Sequence, residues 1–156
     1  IDQHFIQASA MPGSFASTVF NRLLRGTDMR LPHGLTLTGG DGLTREFFRT
    51  KFWEDDPQTY GDVVFQPDAL PEGVAKTPLS TTDKNALLRY GSDGPLLFVG
   101  HYWRSGVPAP IRPNLACLDY SAVLYGKLVA YRLDQETSID PDKFVWVDVH
   151  RPEINA

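Results

Sequence analysis

Apolar side chains near the start of the chain fall on one face of a helix. Between residues 14 and 25 they have the three- and four-residue spacing of an α-helix, and they are Phe15, Val19, Phe20, Leu23 and Leu24. Ser14 stands directly before this run, where a hydroxyl side chain caps the first turn. Gly26 stands directly after it, where a helix commonly ends. The pattern therefore predicts an amphipathic helix over residues 14–25.

Two shorter segments also have helical character. The first thirteen residues predict a short helix that is stopped by Pro12 and the glycine after it. Residues 82–90 predict another short helix, with Thr82 as its cap and with Leu87 and Leu88 buried.

The segment Leu43–Trp53 is rich in aromatic side chains. These lie at spacings of one, four and one residues, which favours a helix, and they are Phe47, Phe48, Phe52 and Trp53. Thr44 is a candidate cap for this helix. The following stretch, residues 54–82, contains four prolines and predicts a long loop that either covers other parts of the fold or has a function.

Strand patterns dominate the second part of the chain. Leu96–Val99 and Leu115–Leu118 are continuous apolar runs, which are typical of buried strands, and the first of them fits a central strand. Lys127–Leu133 and Lys143–Val149 alternate between apolar and polar residues. The polar connection Asp134–Asp142 predicts that these two strands are antiparallel neighbours.

These elements predict an α+β fold. We expect residues 1–93 to form a helical and loop-rich region and residues 94–150 to form a sheet, the two making one structural unit. The chain has 156 residues, enough for one domain with a real core.

Composition narrows the class of partner. The net charge is −4 and the isoelectric point is about 5.5, which argues against nucleic acid because proteins that bind a phosphate backbone usually have a basic face. No apolar run approaches the roughly 20 residues of a membrane helix, so we expect no membrane partner. Cys117 is the single cysteine, so no internal disulfide forms and a reducing, cytoplasmic location is expected. It lies within an apolar strand and is predicted to be buried rather than nucleophilic.

Two polar side chains follow the apolar strands. His101 comes after the first strand and Asp119 after the second. If the strands are neighbours, both side chains emerge at one edge of the sheet, where open α/β sheets place ligand sites. A neutral imidazole binds metal, and a nearby carboxylate orients it. The alternatives are that His101 bonds the backbone and that Asp119 is a turn residue.

Positive side chains offer a second candidate feature. A group of basic residues has the chemistry for an anion pocket, since guanidinium groups bind phosphate bidentately, and the group comprises Arg45, Arg49, Lys51, Arg104 and Arg112. Asn114 would contact a phosphate or orient a loop, or it would simply form a turn after Pro113. The alternative for every one of these cations is ordinary solvated surface.

The inventory of metal ligands is small. A two-metal phosphoesterase needs about half a dozen Asp, His and Asn ligands. The chain has four histidines and no DxH, GDxxD or GNH pattern. Composition and spacing alone therefore predict that this chain does not assemble such a site by itself.

Three runs of sequence resemble the C-terminal segment of bacterial calcineurin-like metallophosphoesterases, the family grouped with diadenosine tetraphosphatases and serine/threonine phosphoprotein phosphatases. The runs are FVGHYW at 98–103, PNLACLDYS at 113–121 and GKLVAYR at 126–132. The stretches at 23–26, 31–34 and 45–53 are similar to an insertion of that bacterial subgroup. The resemblance covers roughly residues 18–148 and is carried mainly by the GHYW and NLACLDYS phrases.

The resemblance implies a β-sandwich flanked by helices, with a dinuclear centre of Mn, Fe or Zn at the strand ends. It makes His101 a metal ligand and gives Asn114 and Asp119 positioning roles, while nearby arginines such as Arg104 would offset phosphoryl charge. In many relatives this motif reads GHTP or GHxH, whereas Tyr102 and Trp103 follow His101 in this chain, so the motif lacks a second histidine ligand. The DxH, GDxxDRG and GNHE blocks of the family lie N-terminal to everything seen in this chain.

Three hypotheses about function follow. The first is a C-terminal fragment of a dinuclear-metal enzyme that hydrolyses phosphate esters or dinucleoside polyphosphates and is inactive alone, with a phosphorylated small molecule or phosphoprotein as substrate. The second is a non-catalytic binding or regulatory module with a phosphatase-like sheet. The third is a structural domain in which His101 and Asp119 are satisfied internally. No catalytic residue is assigned, and whether this chain alone holds metal stays open. Because a half-sheet exposes apolar surface, we expect self-association into a homo-oligomer.

Overall fold

The computed structural model of the chain describes residues 2–38, 42–65 and 70–152. The fold is mixed α+β with several small open sheets among these residues, which confirms the predicted class. The chain divides into two compact units, Ile1–Gly91 and Ser92–Ala156.

The first unit begins with two helices that pack against each other, α1 (Gln3–Ser9) and α2 (Phe15–Arg25). The predicted helix over residues 14–25 is confirmed by α2. Ser14 caps it as predicted, since its hydroxyl accepts a hydrogen bond of 2.9 Å from the Ser17 backbone N–H. The apolar face is less covered than its pattern implies. The large side chains Phe15, Leu23 and Leu24 are mostly exposed, and α2 buries only small residues, Ala16 and Ser17.

The described residues of the first unit also include five short strands. Three form an antiparallel sheet in the order β1 (Asp28–Arg30), β4 (Phe47–Thr50) and β5 (Val64–Phe65). The other two, β2 (Leu37–Thr38) and β3 (Thr44–Arg45), pair with each other antiparallel.

The helix predicted for Leu43–Trp53 is wrong, because this segment forms β3 and β4. Phe47 is exposed, whereas Phe48 and Thr50 are buried, so burial along β4 has a period of two rather than 3.6. Cross-strand pairing of Phe48 with Met29 of β1 places its ring in the core of this unit. The aromatic spacing is compatible with a helix and with a strand, and pairing with strands distant in sequence decided between them.

The part of the first unit that the structure describes also contains three short α-helices, α3 (Tyr60–Val63), α4 (Glu72–Ala75) and α5 (Thr81–Ala86). The helix predicted from residue 82 is present but begins one residue earlier. Ser80 is its cap, and Asp83 closes a capping box by accepting from the Ser80 N–H. The helix ends at Ala86, so Leu88 is not buried as predicted but 47% exposed. The core of the unit comprises Leu31, Phe48, Tyr60, Val63, Val64, Val74 and Leu79.

Residues 92–152 of the second unit contain two small sheets. In one, β6 (Leu97–Val99) and β7 (Leu115–Cys117) are parallel. In the other, β8 (Asp119–Tyr120), β9 (Lys127–Tyr131) and β10 (Phe144–Asp148) are antiparallel in the order β10-β9-β8.

The predicted pairing of the last two strands is confirmed, with Trp146 opposite Val129. The prediction of a buried central strand is wrong for β6, which is half-buried and, within the described residues, pairs only with β7. The core of the second unit comprises Ala116, Tyr120, Val129, Ile139 and Phe144.

The helices of the described residues are short, and the longest of them, α2, has 11 residues. None of these helices is long and apolar enough to cross a membrane.

An ionic cluster fixes the connection between β9 and β10. Lys143 Nζ lies 2.8 Å from Asp134 Oδ2 and 2.9 Å from Glu136 Oε2. The Tyr131 hydroxyl donates to Glu136 Oε1 at 2.8 Å. Hydrogen bonding from Lys143 is the largest of the effects that together lower the pKa of Glu136 to about 2.

We expect this cluster to make the second unit sensitive to acid. The pKa of Glu136 in the folded protein lies below its ordinary value of 4.5, so its stabilising contribution is present above about pH 4.5. That contribution is lost as the pH falls from 4.5 toward 2, because protonation removes the charge that Lys143 binds. We expect the melting temperature of Glu136→Gln to fall less between about pH 6 and pH 2 than that of the wild type. Thermal unfolding followed by circular dichroism measures this difference.

The matched control is Asp142→Asn, which removes an exposed carboxylate from the same connection and should keep the wild-type acid response. An equal fall in melting temperature in Glu136→Gln and in the wild type would contradict the assignment of the acid sensitivity to Glu136.

Candidate functional site

The parallel pair of β6 and β7 brings His101 and Asp119 together. Val99 is opposite Cys117, so both strands end at the same edge, and each of the two polar residues follows its strand end by two positions. The backbone N–H of His101 donates a hydrogen bond of 3.1 Å to Asp119 Oδ2. The two strands are therefore neighbours, and both end at the edge where open α/β sheets place ligand sites.

Asp119 ties three segments of the second unit together. Besides the contact with His101, its Oδ1 accepts from the Ser121 N–H at 3.0 Å. Its backbone carbonyl accepts from the Arg104 N–H at 2.9 Å. These contacts match the interpretation of Asp119 as a turn residue, and they also fix the backbone position of His101. The Asp119 carboxylate therefore holds the loop that carries His101 by a hydrogen bond to the backbone, not to the imidazole.

His101 has an unusual backbone conformation and an exposed side chain. Its φ is 65°, in the left-handed region that few non-glycine residues occupy, and such a conformation costs on the order of 1–3 kcal/mol. Gly100, the residue directly before it, has no positive φ, and an added Cβ there would meet nothing within 4 Å. The unusual backbone conformation is therefore that of His101 itself, and the hydrogen bond to Asp119 helps to stabilise this conformation.

Arg104 lines an open hollow of about 420 Å³ in the second unit. Its side chain is half-buried. Among residues 2–38, 42–65 and 70–152, no carboxylate forms an ion pair with its guanidinium. The walls also include Trp103, Tyr125 and the ion pair between Lys127 and Asp148.

The sequence did not predict that Tyr125, Lys127 and Asp148 line the same hollow as Arg104. They lie more than 20 positions beyond Arg104 in the sequence, and no local motif joins them to it. The alternation that predicted β9 and β10 was the one available signal, because their register pairs Lys127 with Asp148.

Asn114 lies away from His101, at the other end of the parallel pair. It directly precedes β7, whereas His101 follows the end of β6. Asn114 is buried, its Nδ2 donates to the Gly94 carbonyl at 3.1 Å, and its own carbonyl accepts from the Leu97 N–H at 2.8 Å. It therefore orients the entry into β6, and the structure does not bring it to the edge with His101 and Asp119.

Cys117 is fully buried, as predicted. Its thiol donates to the Tyr102 carbonyl at 3.0 Å, and burial raises the pKa of the thiol. A thiol in this environment stays protonated and is a poor nucleophile.

The strand-end edge offers one exposed metal donor, the imidazole of His101. Both carboxylate oxygens of Asp119 already accept backbone hydrogen bonds. Within the part of the chain that the structure describes, no three His, Cys, Asp or Glu residues are grouped so as to hold a metal ion. These residues therefore fit a contribution of a single ligand better than a complete metal site.

No protein-family model, curated protein or solved structure matches the chain.

Proposed function

We propose that this chain is the C-terminal part of a divalent-metal phosphoesterase that acts on phosphate esters or dinucleoside polyphosphates, and that His101 is one of its metal ligands. The observation that carries the proposal is the exposed His101, held in a left-handed conformation at the carboxyl end of a parallel strand pair. Strained residues that the surrounding structure holds in place are concentrated at functional sites. The resemblance of the segments at 98–103 and 113–121 to metallophosphoesterases supports the same assignment.

In this proposal the small sheets of the second unit belong to a larger β-sandwich flanked by helices. Asp119 is a positioning residue that fixes the backbone of His101. Arg104 supplies a positive charge to phosphoryl oxygens, which suits a guanidinium that has no carboxylate partner within the described residues.

The remaining ligands would come from a preceding part of the same protein, so this chain by itself would be inactive. When bound, Mn, Fe or Zn ions would lower the pKa of a bound water and clamp phosphate oxygens. His101 would donate a neutral imidazole nitrogen to one ion, and its fixed backbone would reduce the conformational freedom lost on metal binding.

The test is His101→Ala in the full-length protein. We expect the affinity for Mn²⁺ to fall by at least about tenfold, since one direct ligand is lost, as measured by elemental analysis after equilibrium dialysis. The control is His150→Ala, which removes another exposed histidine of the same unit, beyond the end of β10. Equal metal content in His101→Ala and the wild type would contradict the ligand assignment.

A non-catalytic binding module is the second candidate function. It is favoured by the hollow around Arg104, which combines a half-buried cation with exposed aromatic walls. Binding of a phosphorylated ligand by the 156-residue chain with a chelator present, together with an unchanged affinity for Mn²⁺ in His101→Ala, would favour this candidate, because it would show recognition without a metal ligand at His101.

A further inference from the structure

The charges around the hollow favour an anionic ligand. The hollow is the one of about 420 Å³ that Arg104, Trp103 and Tyr125 line. Lys127 and Asp148 neutralise each other in their ion pair. The Arg104 charge has no such partner among the described residues. A local excess of positive charge in a chain whose net charge is −4 indicates a specific anion site rather than a general basic surface.

A second cation lies close to this hollow. The guanidinium carbon of Arg151 is 5.2 Å from the centroid of the Tyr125 ring, within the range of a cation–π interaction. This contact holds positive charge against one wall of the hollow and strengthens its preference for an anion.

The walls favour a ligand that also carries a planar ring. Trp103 is 40% exposed and Tyr125 is 46% exposed, although both are large aromatic side chains. A bound ring in contact with either of them would remove apolar surface from water, and aromatic pairs gain stability beyond that burial. The volume lies within the range of roughly 300–1,000 Å³ that small-molecule sites have.

The backbone around the hollow is held in an uncommon shape. Ser121 and Tyr125 both have left-handed φ values, 57° and 62°. Gly126 packs so closely that a Cβ there would overlap the Tyr120 carbonyl oxygen. The turn from residue 121 to 126 therefore presents its side chains in a preorganised arrangement, which reduces the ordering cost of binding.

We propose that this hollow binds an aromatic phosphate monoester, with the phosphate on the Arg104 guanidinium and the ring against Trp103 or Tyr125. A guanidinium matches phosphate through two parallel N–H···O bonds, so Arg104 orients the ligand as well as attracting it. Neither His101 nor Asp119 is among the lining residues, so binding does not depend on a metal ion at His101.

The experiment is a calorimetric titration of the 156-residue chain with phenyl phosphate in the presence of EDTA. We expect phenyl phosphate to bind at least about tenfold more tightly than inorganic phosphate, which lacks the ring, and than phenol, which lacks the anion. Equal binding of phenyl phosphate and inorganic phosphate would overturn the proposal, and so would an absence of phenyl phosphate binding.

Three variants test whether the binding takes place in the hollow. Arg104→Gln should weaken phenyl phosphate binding by at least about tenfold, because it removes a charge-assisted contact. Arg132→Gln is its matched control, since Arg132 is exposed and donates to the Asp142 carbonyl, and it should bind as the wild type does. Trp103→Leu should weaken phenyl phosphate binding by about threefold to tenfold and leave inorganic phosphate unaffected.

His101→Ala should leave binding in EDTA unchanged, so failure of the metal assignment and failure of this proposal have different signatures. Circular dichroism of each variant checks that it is folded. Wild-type affinity in a folded Arg104→Gln variant would overturn the assignment to this hollow.

Discussion

Replacing Phe144 with alanine is expected to lower the free energy of unfolding by about 3–5 kcal/mol, the usual cost of removing a buried phenylalanine side chain. Phe144 is 4% exposed and lies at the start of β10, opposite Tyr131 of β9. Its ring meets the Tyr131 ring edge to face, with the centroids 5.1 Å apart. The loss is large because neighbours that already pack against one another cannot move in to fill the cavity.

Chemical denaturation with guanidinium chloride, followed by circular dichroism, measures this change. Val123→Ala is the control, because Val123 is apolar and in the same unit but 89% exposed. Its free energy of unfolding should lie within about 0.5 kcal/mol of the wild type. Similar losses in both variants would show that Phe144 is not a core residue.

Replacing Gly126 with alanine is expected to cost about 3 kcal/mol, at the upper end of the usual range for overpacking. The added Cβ would overlap the Tyr120 carbonyl oxygen and lie 3.0 Å from that of Ser121. Both obstacles are backbone atoms, and the Gly126 N–H donates to the Ser121 carbonyl, so the turn has little room to adjust. Relief of the overlap would require separation of β8 from β9.

The comparison for this variant is Gly100→Ala, where an added Cβ would meet nothing within 4 Å and φ is not positive. We expect Gly100→Ala to change the free energy of unfolding by less than about 1 kcal/mol. Thermal and denaturant unfolding of the two alanine variants side by side measures the difference. A stable Gly126→Ala protein with wild-type unfolding would show that the turn is looser than its geometry implies.

Local patterns in the sequence were sufficient for several elements. The cap at Ser14 and the apolar spacing after it predicted α2 correctly, because a helix forms its backbone hydrogen bonds within one segment. Alternation predicted β9 and β10, and the polar connection between them predicted their antiparallel pairing. In these cases the determining contacts are close in sequence.

The segment Leu43–Trp53 shows where local reasoning failed. Its aromatic spacing suits a helix, yet Phe48 pairs with Met29 and Arg49 pairs with Phe65 in a three-stranded sheet. Those partners lie 16 or more residues away along the chain. Side-chain packing against distant strands decides such a segment, and a window of a dozen residues contains no information about it.

The sequence by itself determined the α+β class, the helix over residues 14–25, the last two strands, and the position of His101 and Asp119 after apolar strands. Only the tertiary structure decided that the Asp119 carboxylate binds the His101 backbone, that Asn114 lies at the opposite end of the parallel pair, and that Arg104 shares a hollow with Tyr125. Local elements follow from backbone hydrogen bonds and short-range apolar spacing, whereas a binding surface arises where strands distant in sequence meet, and their register alone sets which side chains converge.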